Sequence, residues 1–341
     1  MHKTIVVFTI VCLLISSCSN LAPSSLQPLE NIDSFTPTPI SKISSTPTPI
    51  LQISSVPTDS PLYPYSYEVL RQKQYGQGEV KIEGNLISSP KLSRYLISYP
   101  SDGLKIYGFI DIPLASGKFP VVIVLHGHIN LDVYRTMDYS SRYADLIARN
   151  GYIVIHPNLR NYPPSDNGLD QFYSGSADDV LNLIAIVRKQ AGQDGFLAKA
   201  DASRIGIWGH SMGGGIALRV ITLDPGIRAA VLYGAVTGNL ALRRFGFHGT
   251  DQGYVQSHPD EIQLISPSSH YGEIQAAVSI HHGLSDTTVT PQWSKDLCSQ
   301  LTDLGKNVEC FFYPDAPHTF GGEIEQLFNQ RTVDFFSKYL R

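Results

Sequence analysis

Arg204-Ile205-Gly206-Ile207-Trp208-Gly209-His210-Ser211-Met212-Gly213-Gly214-Gly215 runs directly into Ile216-Ala217-Leu218-Arg219-Val220-Ile221. The first half is a short apolar run of strand length, and the second carries helical spacing. Between them lies Gly-x-Ser-x-Gly, the pattern of a serine exposed on a sharp strand-to-helix turn. A turn of that kind strains the backbone at the serine and leaves no room for side chains beside it. Gly209 and Gly213 supply the room. The helix that follows directs its free N–H groups and positive end at the serine. Ser211 is therefore the candidate nucleophile, and the Met212 N–H is the first candidate donor to an oxyanion.

Working outward, Val121 to Leu125 is a continuous apolar run, the mark of a strand buried on both faces. Tyr139, Tyr143, Leu146 and Ile147 form a helical stripe ending at Asn150-Gly151, before a second buried strand from Tyr152 to Ile155. Ser176 is the expected N-cap of a helix whose stripe is Val180, Leu181, Ile184 and Val187. Strands are expected at Ala229 to Tyr233, Ala277 to Ile280 and Val308 to Tyr313. Helices are expected at about Pro291 to Leu304 and Glu323 to Tyr339. Strands alternating with helices predict an α/β fold with a doubly wound, mostly parallel sheet and helices on both faces. Ahead of this, Arg94 to Tyr99 and Leu104 to Ile112 read as an antiparallel pair around Ser101-Asp102-Gly103. A short helix is expected near Tyr67 to Arg71, followed by a polar segment. Residues 235–274 break the rhythm and contain Arg243-Arg244, His248 and Pro259. They are expected to form a short cap over the strand ends that helps to shape a substrate pocket.

A serine hydroxyl needs a base, and the base needs an orienting carboxylate. After a strand-turn-helix serine of this kind, the carboxylate comes next in the chain and the histidine last. Asp286, in His281-His282-Gly283-Leu284-Ser285-Asp286, follows a strand and a glycine turn. His318, in Pro314-Asp315-Ala316-Pro317-His318, follows the last strand. The second oxyanion donor belongs to the loop after the Val121 to Leu125 strand. There Gly127 frees the chain to turn inward, and the donor is assigned to the His128 N–H. His126-x-His128 and His281-His282 raise the question of a metal. No cysteine or acidic ligand stands at a usual spacing, so neither metal nor cofactor is expected.

The chain has 341 residues, 42% hydrophobic and 16% charged, with a net charge of −4. This describes a globular protein without the basic footprint of a nucleic-acid partner. Residues 1–17 read as a lipoprotein signal: a basic start, an apolar core from Thr4 to Ile15, and Leu14-Ile15-Ser16-Ser17 before Cys18. That ending resembles a bacterial lipobox and makes Cys18 the expected lipidation site, so that the chain is held at a membrane without spanning it. A Ser/Thr/Pro-rich spacer at 18–64 repeats Thr-Pro-Thr-Pro-Ile at Thr36 and Thr46. The folded domain is expected at 65–341. Cys298 on a helix and Cys310 on the adjacent strand form a candidate disulfide, with two buried free thiols as the alternative.

Several segments carry a family resemblance together. They are Ser98-Tyr99-Pro100-Ser101-Asp102-Gly103-Leu104-Lys105-Ile106-Tyr107-Gly108, Leu125-His126-Gly127, and Asn150-Gly151-Tyr152 with Pro157-Asn158-Leu159-Arg160. Gly206 to Gly214, the His282-Gly283 to Asp286 loop and His318 complete the set. From Tyr95 to Lys338 the chain resembles the α/β-hydrolase superfamily, and more narrowly the catalytic domain of the prolyl oligopeptidase family. The resemblance implies Ser211 as nucleophile, Asp286 as orienting acid and His318 as base. Peptidases of that family usually carry a β-propeller before the hydrolase domain, and the segment ahead of residue 65 is too short for one. That shifts the expectation to esterases and dienelactone-hydrolase-like proteins. The expected protein is an exported, lipid-anchored serine hydrolase of the cell envelope acting on a small ester. A short-peptide substrate is the second reading, and a surface-binding lipoprotein without catalysis the third.

Overall fold

The computed structural model describes residues 55–138, 140–242 and 257–341. The expectations for the signal segment, for Cys18, for most of the Pro-rich spacer, and for Tyr139, Arg243, Arg244 and His248 lie outside the described residues.

Nine strands form one sheet: β1 (Lys81–Ser88), β2 (Leu92–Ser101), β3 (Leu104–Pro113), β4 (Phe119–Leu125), β5 (Ile153–Pro157), β6 (Ala200–His210), β7 (Ile227–Tyr233), β8 (Ala277–Gly283) and β9 (Val308–Tyr313). Their order is β1-β2-β3-β5-β4-β6-β7-β8-β9. The pairs β1-β2, β2-β3 and β3-β5 are antiparallel, and every other pair is parallel. The longer helices are α2 (Ser141–Arg149), α3 (Ser174–Gln190), α4 (Met212–Leu223), α6 (Pro291–Asp303) and α7 (Gly322–Leu340). Two short ones, α1 (Tyr67–Gln72) and α5 (Pro259–Leu264), complete the set named here.

The two-residue period of a strand sends alternate side chains to opposite faces. Val121, Ile123 and Leu125 of β4 pack with α3, α4 and α6 through Leu183, Ile186, Ile216, Val220, Leu297 and Leu301. Val122 and Val124 face the other way, with Trp208, Tyr233 and the α2 and α7 residues Tyr143, Ile147, Phe328 and Phe336. The buried apolar runs of β4 and β5 thus have a helix layer on each side. Each such fully buried side chain contributes about 1.5–3 kcal/mol. The crossovers leave Leu125, Pro157, His210, Tyr233, Gly283 and Tyr313 at one end of the sheet, where its loops gather.

Three expectations change. The polar segment after α1 contains β1, an edge strand paired, among the described residues, only with β2 and exposed along nearly all its length. Lys81, Glu83 and Asn85 show no buried alternation because no described element covers either face of β1. The folded unit also begins before residue 65. Val56 and Leu62 are buried against Phe172, Leu240, Ile262 and Ile265, so apolar side chains near the end of the Pro-rich stretch recruit it to the domain. Helix α3 starts at Ser174 rather than at Ser176. Ser176 is buried within it, and the Asp170 carboxylate accepts both the Ser176 N–H and its hydroxyl at 2.7 Å. The aspartate therefore performs the capping that was assigned to the serine.

Of the expected cap, 235–274, the described parts are a 3-10 turn at Leu240–Leu242, α5 and a 3-10 stretch at Pro267–Glu273. Thr237, Asn239 and Leu242 line a cleft of about 110 Å³ with Gln263, Tyr271, Trp293 and Gln300. Cys298 of α6 and Cys310 of β9 are joined in a disulfide. Among the described residues no helix is long and apolar enough to cross a membrane.

Candidate active site

Ser211 occupies the turn between β6 and α4 at φ 55°, ψ −115° and is 9% exposed. A serine with positive φ is strained, and its surroundings hold it there. Its N–H donates to the Tyr233 carbonyl at 2.9 Å. Its own carbonyl accepts from Gly214, Gly215 and Val236 at 3.1–3.2 Å. Side chains at the neighbouring glycines would destroy the turn. A Cβ on Gly209 would stand 2.4 Å from the Gly213 carbonyl oxygen, and one on Gly213 would stand 2.5 Å from that of Leu125. Both positions match the reading of the sequence.

Asp286 and His318 arrive from the ends of β8 and β9. His318 Nδ1 lies 2.6 Å from Asp286 Oδ2. Asp286 Oδ1 accepts the N–H groups of Thr288 and Val289 at 2.8 and 2.9 Å. Burial of this carboxyl would raise its pKa. The hydrogen bonds from His282, His318 and the Val289 N–H outweigh burial and hold it well below the usual carboxylate range. It is therefore a fixed anion at any ordinary pH. The His318 ring lies beside Gly234, at the end of β7, and 4.6 Å from the ring of His210, the residue before Ser211. The three residues that the sequence singled out are thus gathered at one end of the sheet, on loops of neighbouring strands.

Met212 opens α4, where no preceding turn offers a carbonyl to its N–H. The loop after β4 approaches from the other side, and a Cβ on Gly127 would stand 3.2 Å from the Ser211 Cβ. His128 follows it. The histidines that raised the question of a metal are otherwise engaged. His126 is buried with its ring nitrogens 2.7 and 2.8 Å from the Gly127 and Asn158 carbonyl oxygens. His281 contacts the Ser279 and Tyr313 hydroxyls. Among the described residues no group of three or more His, Cys, Asp or Glu could hold a metal ion.

Two side chains of the site have roles that the sequence reading did not assign to them. His282 is buried, with Nε2 3.0 Å from Asp286 Oδ2 and from the Val289 carbonyl oxygen, and Nδ1 2.6 Å from the Ser294 hydroxyl. It steadies the face of the carboxylate that also meets His318. His210 donates from Nε2 to the His318 carbonyl at 3.1 Å, tying the His318 loop to the Ser211 turn. Burial, aided by the neighbouring His318, pushes His210 down to about 3, so it acts as a neutral strut. Their signal was positional: one adjoins the serine in sequence, and the other precedes the aspartate by four residues.

Comparison with known proteins defines the class first. Acetyl xylan esterase from Paenibacillus sp. R4 superimposes with a TM-score of 0.59 at 18% identity, over 80% of this chain and 92% of that one. Porphyromonas gingivalis dipeptidyl peptidase 4 gives 0.59 at 20% identity, over 73% of this chain and 36% of that one. The fold is that of the α/β-hydrolases. Residues 106–339 match the dienelactone hydrolase family model, and the chain belongs to that family. A curated relative, the uncharacterized peptidase YtmA of Bacillus subtilis (strain 168), is 26% identical over 239 residues, spanning 66% of this chain and 86% of that one.

Proposed function

We propose that the protein is a serine hydrolase that cleaves carboxylic esters through an acyl-enzyme on Ser211. His318 Nε2 takes the Ser211 proton as Oγ bonds to the ester carbonyl carbon. Asp286 holds the ring and stabilises the imidazolium that forms. The tetrahedral oxyanion lies on the Met212 and His128 N–H groups. The alkoxide leaves with the proton from His318. Water, deprotonated by the same histidine, then releases the acid and restores Ser211.

The observation that carries this reading is the 2.6 Å contact between His318 and an Asp286 fixed by two backbone N–H groups. It lies on loops next to a serine held at positive φ. An ester is favoured over a peptide because the chain spans 92% of an acetyl xylan esterase but only 36% of a dipeptidyl peptidase. The relative named as a peptidase keeps amide cleavage as the second reading.

A fluorophosphonate probe tests the proposal. Wild type is expected to be labelled, and Ser211→Ala and His318→Ala are not. A folded wild type that resists the probe would remove the catalytic reading and leave a binding protein on a hydrolase scaffold. Short acyl esters competed against aminoacyl amides then decide between ester and peptide.

A further inference from the structure

The loop after β5, residues 158–173, reaches across to the oxyanion segment, and one side chain on it touches both halves of that segment. The Tyr162 hydroxyl lies 3.2 Å from His128 Nδ1 and 3.6 Å from Met212 Sδ. A phenol has one proton to give and two lone pairs to receive. That capacity serves both contacts at once. Burial pushes its pKa well above the ordinary phenol value. The group is a neutral hydroxyl under any working condition.

The loop is built to hold Tyr162 still. Leu159 and Asn161 adopt positive φ, 69° and 70°. Such residues persist where the surroundings over-determine them. Asn161 closes a ring with Gly168 through two 3.0 Å bonds, and its N–H donates to the Asp166 carbonyl. Arg160 clamps the start of the loop to α3. Its N–H donates to Asp179 Oδ2 at 2.8 Å and its guanidinium to Asp179 Oδ1 at 2.7 Å. The Tyr162 ring stands edge-on to His126 at 4.5 Å and to Tyr134 at 5.0 Å. Its hydroxyl thus has little freedom to follow the β4 loop if that loop moves.

We propose that Tyr162 is a positioning residue that fixes the two oxyanion-donating amides relative to each other, binding the His128 side chain on one side and that of Met212 on the other. The proposal rests on the reading of Ser211 as nucleophile and of the Met212 and His128 N–H groups as oxyanion donors. With the His128 ring held at the tyrosine hydroxyl, the residue is anchored, and with it the aim of the His128 N–H. The device acts only when charge develops on the carbonyl oxygen. It therefore works on the transition state and leaves ground-state binding alone.

The test compares wild type, Tyr162→Phe, His128→Ala and the double variant with a p-nitrophenyl ester as substrate and a boronic acid as mimic of the tetrahedral oxyanion. Loss of a whole oxyanion donor costs about 10²–10³-fold in kcat. Loosening one should cost about 10- to 100-fold, with KM held within about twofold. Boronate affinity should fall in parallel with kcat. His128→Ala keeps the backbone N–H but loses the tyrosine contact, so it should fall similarly, and the double variant should be no worse than the weaker single. Unchanged kcat and boronate affinity in Tyr162→Phe, or fully additive losses, would overturn the proposal. If Tyr162→Phe does not fold, His128→Ala decides: a kcat equal to wild type overturns it. Failure of the underlying reading is separable, because Ser211→Ala would then keep wild-type activity and wild type would resist a fluorophosphonate. That result removes the oxyanion assignment and this proposal with it.

Discussion

Gly283 ends β8, three residues before Asp286, and its Cα faces the backbone of the His318 loop. A methyl group there would stand 2.2 Å from the Ala316 carbonyl oxygen and 2.6 Å from that of Pro317. Real Cβ atoms essentially never come within 3.0 Å of such an atom. Gly283→Ala must therefore drive the loops apart by at least about 0.8 Å, because a close-packed backbone has no flexible end to swing away. The same carbonyl of Ala316 accepts the Ser285 N–H at 3.0 Å, and Leu284 donates to Tyr313 at 2.8 Å. These bonds join the Asp286 loop to the His318 loop. Added to the 2.6 Å contact between Asp286 and His318, the shift takes that contact past the roughly 3.2 Å limit of a good hydrogen bond. A misplacement near 1 Å costs about 10²-fold in rate, close to 3 kcal/mol of transition-state stabilisation. Overpacking adds a stability loss of about 1–3 kcal/mol. The assay is kcat/KM on a short acyl ester beside a thermal melt, with Gly272→Ala as control, since a Cβ there meets nothing within 4 Å. A Gly283→Ala enzyme that melts lower but keeps wild-type kcat would refute the claim that this glycine sets the distance between acid and base.

Acid should unfold the protein through buried neutral histidines. Burial pushes His210 and His281 down to about 3 from 6.5, helped by His318 and Arg331 respectively. Below pH 6.5 the unfolded chain takes up protons that the folded chain refuses, so stability falls as pH falls from 6.5 towards about 3. Each histidine lowers the folding constant about tenfold per pH unit in that window. Urea midpoints measured between about pH 6.5 and pH 5 should drop, because the two histidines outweigh the single opposing proton taken up by Asp179, whose carboxyl burial raises to about 6; a flat profile contradicts the assignment. Separately, Cys18→Ala should move the protein from the membrane fraction to the soluble one and remove the mass of a lipid; unchanged mass and location would end the lipoprotein reading.

The sequence exposed the centre of the site well and its supports poorly. Ser211, Asp286 and His318 could be found because each sits just beyond a buried apolar run, and a parallel sheet brings the ends of such runs together. Gly209 and Gly213 could be read because only backbone contact explains them. His282, His210 and Tyr162 act through partners 4, 108 and 34 or more residues away. Nothing local distinguishes Tyr162 from a core residue, and the nearness of His210 to Ser211 and of His282 to Asp286 does not by itself say what their rings hold. Strand β1 escaped because an edge with both faces wet has no hydrophobic period to detect. The domain start escaped because Val56 and Leu62 are isolated apolar residues in polar surroundings, given meaning only by Phe172, Leu240 and Ile262.

The bond between Cys298 and Cys310 lies on the path of chain between Asp286 and His318. It bypasses a sequence separation of 12 within a separation of 32. Closure entropy depends only logarithmically on length, so the shortcut lowers the cost of bringing acid and base together by only a few tenths of a kcal/mol. Its larger effect is on the 12-residue loop it closes itself, where crosslinking stabilises by about 3 kcal/mol. The covalent link therefore acts as a brace for α6 against the sheet's last strand, while the meeting of carboxylate and imidazole is left to contacts between loops. Oxidation of the two thiols thus secures the frame of the domain without touching the alignment of Asp286 with His318.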